Sequence, residues 1–278
     1  MILFSEGDIM KKTVVLAALS ALLITSFTSA AYAGEYIASG PGHVLAQSGK
    51  QETESTAAAA GNGIQATETA ASDSSAPVEW DITRVKLSTD ARLLVRVEGT
   101  GGTACTVTAF EKAEDGSWKE SFAVNGWLGL NGMNTGVRHV GDKTTPVGLY
   151  HLNTPFGIDP AEEGFPKDYI QVDESYTWTD LNNKLEKRTD LPGEVVGKRS
   201  RYGTYYDYCL DMGFNREAVP DTGSALFIHC GPDGDTFTSG CVQIPKSYMK
   251  KLLKLYGKYG EKGSFIALAP AGRWDIVY

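Results

Sequence analysis

LLVRVEGTGGTACTVTA, residues 93–109, sets the secondary-structure period of the chain. Leu93, Val95 and Val97 alternate with Leu94, Arg96 and Glu98, the period-2 pattern of a half-buried strand. Gly99 to Gly102 supplies a turn, and Cys105, Val107 and Ala109 continue on one face of a second strand. Short runs of the same kind recur at residues 121–124, 148–152, 205–214, 224–230 and 264–269, with turn-rich joints between them. That spacing predicts a mainly β domain, a β-sandwich or barrel, rather than a parallel α/β sheet. One prominent amphipathic helix is predicted near the C-terminus, from Pro245 to about Tyr259. Proline suits a first helical position, and Met249, Leu252, Leu253 and Tyr256 fall on one side. Lys246, Lys250, Lys251, Lys254 and Lys258 occupy much of the rest, which reads as a solvated face.

Toward the N-terminus the pattern changes twice. Lys11 and Lys12 precede an almost wholly apolar stretch from Thr13 to Phe27, and Ala31-Tyr32-Ala33 follows as a small-x-small site. Residues 1–33 therefore read as an export signal. The apolar run falls short of the roughly 20 residues a membrane span needs. No stable span is expected once the signal is removed; left uncleaved, it would tether the chain at a membrane. Residues 34–76 are Ser, Thr, Ala, Gly, Gln and Glu with few large apolar side chains, a composition that cannot offset the entropy of ordering. They read as a flexible low-complexity spacer, and residues 77–278 as the folded domain. The expected location is extracellular, cell-wall associated or periplasmic. A net charge of −8 argues against nucleic acid as a partner.

Chemistry concentrates in SALFIHCGPDGDTFTSGCVQIP, residues 224–245. A strand delivers His229, a glycine-rich loop follows, and the chain returns through Thr238-Ser239-Gly240 to Cys241. Segments joined by such a loop can lie side by side and bring an imidazole within hydrogen-bond reach of a thiol. A free thiol is only a few per cent thiolate at neutral pH, and a neighbouring base supplies what it lacks. Gly240 lets the backbone approach a reacting carbonyl, and the amides of residues 239–241 are candidate oxyanion donors. Strand alternation separates the cysteines: Ala225, Phe227 and His229 share one face, while Leu226, Ile228 and Cys230 share the other. Cys230 is thus expected to pack away from the imidazole. Taken alone, the pair does not decide the matter, because a lone histidine is more often structural and a lone cysteine a small buried hydrophobe. A zinc set from His229, Cys230 and Cys241 lacks any Cys-x-x-Cys pair, and no metal is expected. Cys105, Cys209 and Cys230 allow three disulfide pairings among which the sequence does not choose.

At these residues the chain resembles the catalytic domain of the L,D-transpeptidases, the YkuD-type family, in the branch closing in Ser/Thr-x-Gly-Cys-Val. His229 and Thr238-Ser239-Gly240-Cys241 carry the match. Asp142 to Gly148, Asn153 to Gly157, Trp178-Thr179-Asp180, Tyr206-Asp207 and Gly213-Phe214-Asn215 extend it over about residues 126–269. Ser239 stands where many members carry histidine, Gln243 where they often place Arg or Asn, and the loop from His229 to Cys241 is shorter. The resemblance implies a β-sandwich-like fold and a cysteine acyltransferase of cell wall biogenesis that uses no cofactor. Cys241 would attack the carbonyl before the terminal D-alanine of a peptidoglycan stem tetrapeptide, and His229 would protonate the departing D-alanine. An amine of a neighbouring stem would then complete a cross-link between third residues. Carbapenem-type inhibitors would acylate the same sulfur. Thr238, Ser239 and Gly240 are the implied substrate or oxyanion contacts. A backbone carbonyl would orient the imidazole, so Asp207, Asp211 and Asp233 read as loop or surface carboxylates. Two alternatives stand beside this one: an L,D-carboxypeptidase with water as acceptor, and a non-catalytic wall-binding protein.

Overall fold

Alternating apolar residues in short segments build the mainly β structure that the computed structural model describes for residues 76–278, Asp233 excepted. The expected signal, and the spacer up to residue 75, lie outside the described residues. Three long strands come first: β1 (Leu93–Gly101), β2 (Ala104–Lys112) and β3 (Trp118–Trp127), an antiparallel meander. Short strands follow. β4 (Met133–Asn134) pairs with β5 (Thr145–Pro146), and Leu152 alone separates β6 (Gly148–His151) from β7 (Asn153–Gly157). β8 (Ile170–Gln171) lies beside β7, while β9 (Thr177–Thr179), β10 (Lys184–Glu186) and β11 (Gly193–Glu194) form a small sheet of their own. A single turn, α1 (Arg199–Tyr202), leads to β12 (Cys209–Asp211), β13 (Phe227–His229) and β14 (Val242–Gln243). The long helix α2 (Lys246–Gly263) then delivers β15 (Ser264–Pro270).

Ten strands hydrogen-bond in the order β6-β15-β1-β2-β3-β14-β13-β12-β7-β8. Since β6 and β7 are neighbours in the chain but lie near opposite ends of that order, the sheet curls back on itself. Its inner face encloses one core, in which Leu93 and Val95 join Phe156, Leu210, Phe227 and Ile266. Pairing is mostly antiparallel; β1–β15, β13–β14 and β7–β8 are parallel. β1 is not half-buried, because Leu94 is buried as well. Val85, Ala91, Phe265, Ala267 and Trp274 cover its outer face in a second, smaller cluster.

Met249, Leu252, Leu253 and Tyr256 of α2 are buried as their spacing predicts, each stabilising by about 1.5–3 kcal/mol. The regular helix ends at Tyr259 as expected: Gly260 breaks it at φ 66° and ψ −176°, and one further short turn carries the element to Gly263. Its lysine face is not merely solvated. Lys246 reaches Asp159 and Asp207, Lys250 reaches Glu162, and Lys258 reaches Glu111. These partly exposed pairs are individually weak, but they tie the helix to loops around the sheet. Among the described residues, no helix is long and apolar enough to cross a membrane.

Candidate active site

β13 and β14 lie side by side, with Ile228 opposite Val242 and His229 opposite Gln243. One residue back in that register, Cys241 falls opposite Phe227, so alternation places Phe227, His229 and Cys241 on one face. His229 is 5% exposed. Its Nδ1 lies 2.6 Å from the carbonyl oxygen of Cys230. A carbonyl can only accept, so Nδ1 carries the hydrogen and Nε2 keeps the lone pair. The orienting acceptor is main chain, not a carboxylate. Burial lowers the pKa of His229 from 6.5 to about 4, against the opposing effects of the Cys230 carbonyl and Asp235. The ring is therefore neutral at neutral pH and competent as a base. Tyr206 and Tyr205 stand edge-on to it, with centroids at 5.5 and 6.3 Å, and the Tyr206 hydroxyl donates to Glu194 at 2.8 Å.

Cys241 is 7% exposed. Its Sγ accepts the Phe227 N–H at 3.3 Å and donates to the Ala225 carbonyl at 3.6 Å. Burial pushes the thiol up to about 12, partly offset by the Phe227 N–H and the charge of Arg138. The fold brings the two segments together as the sequence suggests, yet the thiol rests on the main chain of the β13 segment and not on the imidazole. Thr238 braces the turn before it: its hydroxyl donates to the Cys241 carbonyl at 2.7 Å and accepts the Gly240 N–H at 3.1 Å. That engagement narrows the candidate oxyanion donors to the amides of Ser239 and Cys241, with Ser239 exposed at the tip. Gly240 has φ +136°, and a Cβ there would come within 2.8 Å of the Thr144 carbonyl oxygen. Only glycine fits comfortably.

The segment from Asp142 to Gly148 seats directly on this turn. Thr145 Oγ1 donates to the Cys241 carbonyl at 3.4 Å and accepts the Gly129 N–H at 2.8 Å. Asp142 shapes the preceding loop by accepting the Thr144 and His139 amides at 2.9 and 3.0 Å. Sequence reasoning missed Arg138, four residues upstream. Its guanidinium is buried, with Nε donating to the Thr144 carbonyl at 3.0 Å and Nη1 to the Thr222 carbonyl at 2.8 Å. No local signal marks an isolated arginine whose second partner lies 84 residues away. Nearby, a cavity of about 120 Å³ is lined by Trp127, Gly231, Pro232 and Gln243. The buried Gln243 Oε1 has no hydrogen-bond partner there.

Cys105, Cys209, Cys230 and Cys241 are all free thiols, so none of the three disulfide pairings is formed. Cys230 turns onto Tyr208, accepting its N–H at 3.3 Å and donating to its carbonyl at 3.5 Å. Asp207 and Asp211 are not surface carboxylates; both are buried beside or within β12, an inner strand of the sheet. Asp207 holds Lys246 at 2.6 Å and Arg199 at 3.4 Å. Desolvation pushes Asp211 up to about 7. Neither touches His229, and Asp233 lies outside the described residues. Among the described residues, no group of three His, Cys, Asp or Glu side chains could hold a metal ion.

No protein-family model matches the chain, and no curated protein does. A solved structure, that of the Bdellovibrio bacteriovorus protein Bd1075, aligns with 70% of this chain at 13% identity and a TM-score of 0.36. The chain spans about half (52%) of that structure's length. A similarity so low carries no argument about fold or activity.

Proposed function

We propose that this chain is an exported peptidoglycan L,D-transpeptidase of the YkuD type, with Cys241 as nucleophile and His229 as general base. One observation carries the reading: a buried imidazole, fixed as the Nδ1–H tautomer by the Cys230 carbonyl, shares a strand face with a buried thiol on the adjoining segment. The thiol leaves the Ala225 carbonyl and gives its proton to Nε2 as sulfur attacks the carbonyl before the terminal D-alanine. A C–S bond forms, and the amides of Ser239 and Cys241 receive the oxyanion. Collapse breaks the C–N bond, His229 returns the proton to the departing amine, and a thioester remains. An acceptor amine then loses a proton to His229, displaces the sulfur and regenerates the thiol.

Intact-protein mass spectrometry with a stem tetrapeptide tests this directly. The expected product is a thioester adduct on the wild type that Cys241→Ala lacks while keeping its fold. An adduct that persists in the alanine variant means that the wrong nucleophile was chosen. Cross-linked dimers against free tripeptides among the products separate transfer from hydrolysis.

A further inference from the structure

Arg138 has features that neither the fold nor the proton transfer uses. Its guanidinium is only 8% exposed, and two of its edges are pinned by the Thr144 and Thr222 carbonyls. Nη2 donates to no group among the described residues, and it faces Gly240, the residue before the nucleophile. A Cβ on Gly240 would come within 3.1 Å of Nη2, and one on Gly223 within 2.0 Å of Nη1. Both glycines have positive φ, so the backbone is trimmed on two sides to admit the guanidinium. Phe214 covers it, with Cζ 5.8 Å from the ring centroid. The nearest anion, Asp142, stands 3.6 Å from Nε alone, and its Oδ1 already accepts from Thr144. A desolvated, rigidly held cation with an unused donor edge is a binding site for an anion, and a carboxylate matches its geometry.

We propose that Arg138 reads the free carboxylate of the departing residue. It thereby selects acyl donors whose scissile bond is followed by a single residue with a free C-terminus. This rests on the reading of Cys241 as nucleophile and adds its specificity element. In such a donor the carboxylate lies roughly 4–5 Å beyond the attacked carbon, within reach of a group that touches the neighbour of Cys241. An interior peptide bond offers no charge there, and a donor one residue longer places it about 3.5 Å too far.

Competing alkylation of Cys241 by iodoacetate and iodoacetamide tests this without peptidoglycan substrates. The two reagents differ in charge and little in shape, and their rate ratio cancels the state of the thiol. On the full wild-type chain, peptide mapping should give an iodoacetate-to-iodoacetamide ratio at Cys241 at least about tenfold above that of N-acetylcysteine. Arg138→Gln should lower the ratio to the free-thiol value, and Arg138→Lys should retain part of it. A wild-type ratio equal to that of the free thiol overturns the proposal, and this arm requires no variant to fold. With the same ratio and an intact tetrapeptide thioester, the role of Arg138 fails while that of Cys241 stands. If neither reagent labels Cys241 and no thioester forms, the nucleophile reading fails and takes this inference with it. A tetrapeptide amidated at its C-terminus gives the second readout: kcat/KM should fall about 100-fold in the wild type and be nearly indifferent in Arg138→Gln.

Discussion

Replacing His229 with glutamine should remove one defined part of the protein's sensitivity to acid. The folded imidazole titrates at about 4 because it is buried, whereas an unperturbed one titrates at 6.5. Below pH 6.5 the unfolded chain takes up a proton that the folded chain refuses, so this residue's contribution is complete above 6.5 and is lost as pH falls through 4. Two and a half pKa units at about 1.36 kcal/mol each come to roughly 3 kcal/mol. Asp211 works in the opposite direction: its carboxyl is raised to about 7, so the folded chain holds a proton that the unfolded chain releases above pH 3.8. Its stabilisation is present at low pH and fades as pH rises through 7, which masks His229 in any single pH profile. A difference measurement separates them. Urea unfolding of wild type and His229→Gln at pH 7.5 and pH 4 keeps Asp211 common to both chains. The variant's stability relative to wild type should improve by about 3 kcal/mol on going to pH 4, whatever constant offset the lost Cys230 contact imposes. A difference that stays flat with pH would refute the account of a buried, neutral imidazole, and with it the claim that His229 rests as a free base.

Gly240→Ala should destabilise by about 1–3 kcal/mol, because its Cβ would press on the Thr144 carbonyl and the Leu226 side chain at an unfavourable φ; an unchanged denaturation midpoint would contradict this. Thr238→Val keeps the volume but loses both hydroxyl bonds of the turn, for an expected cost of about 1–3 kcal/mol and slower acylation, while Thr238→Ser should restore most of each. A carbapenem should leave its mass on the peptide containing Cys241; finding it on Cys230, whose thiol faces Tyr208, would reverse the choice of nucleophile.

Local pattern located the strands, the helix stripe and the segment that carries both His229 and Cys241, because each is written in near-neighbour residues. What was not legible depends on partners far apart in sequence. Leu94 reads as an outward position until Trp274, 180 residues later, is seen to cover it. Asp207 reads as a loop carboxylate until Lys246 arrives from the start of α2. Arg138 has no period or motif of its own, and its meaning comes from Thr222 and Gly240, which the curl of the sheet brings to it. The hydroxyl of Thr238 reads equally as a substrate contact or a turn brace, and only the 2.7 Å bond to Cys241 distinguishes the two.

The electrostatics of the resting pair constrain how such a site could work. Burial acts on both partners in the sense that favours their neutral forms, with the thiol at about 12 and the imidazole at about 4. Each shift opposes moving the proton from sulfur to Nε2 before a substrate arrives. Burial thus disfavours a charged pair in the empty site, and the proposed attack starts from the neutral thiol and the neutral imidazole. Reactivity then depends on what enters the site: a ligand that draws the thiol from the Ala225 carbonyl and places a carbonyl carbon beside it supplies the driving force that the empty site withholds. Arg138 is the fixed charge best placed to hold such a ligand, so recognition of the donor and activation of the sulfur become one event.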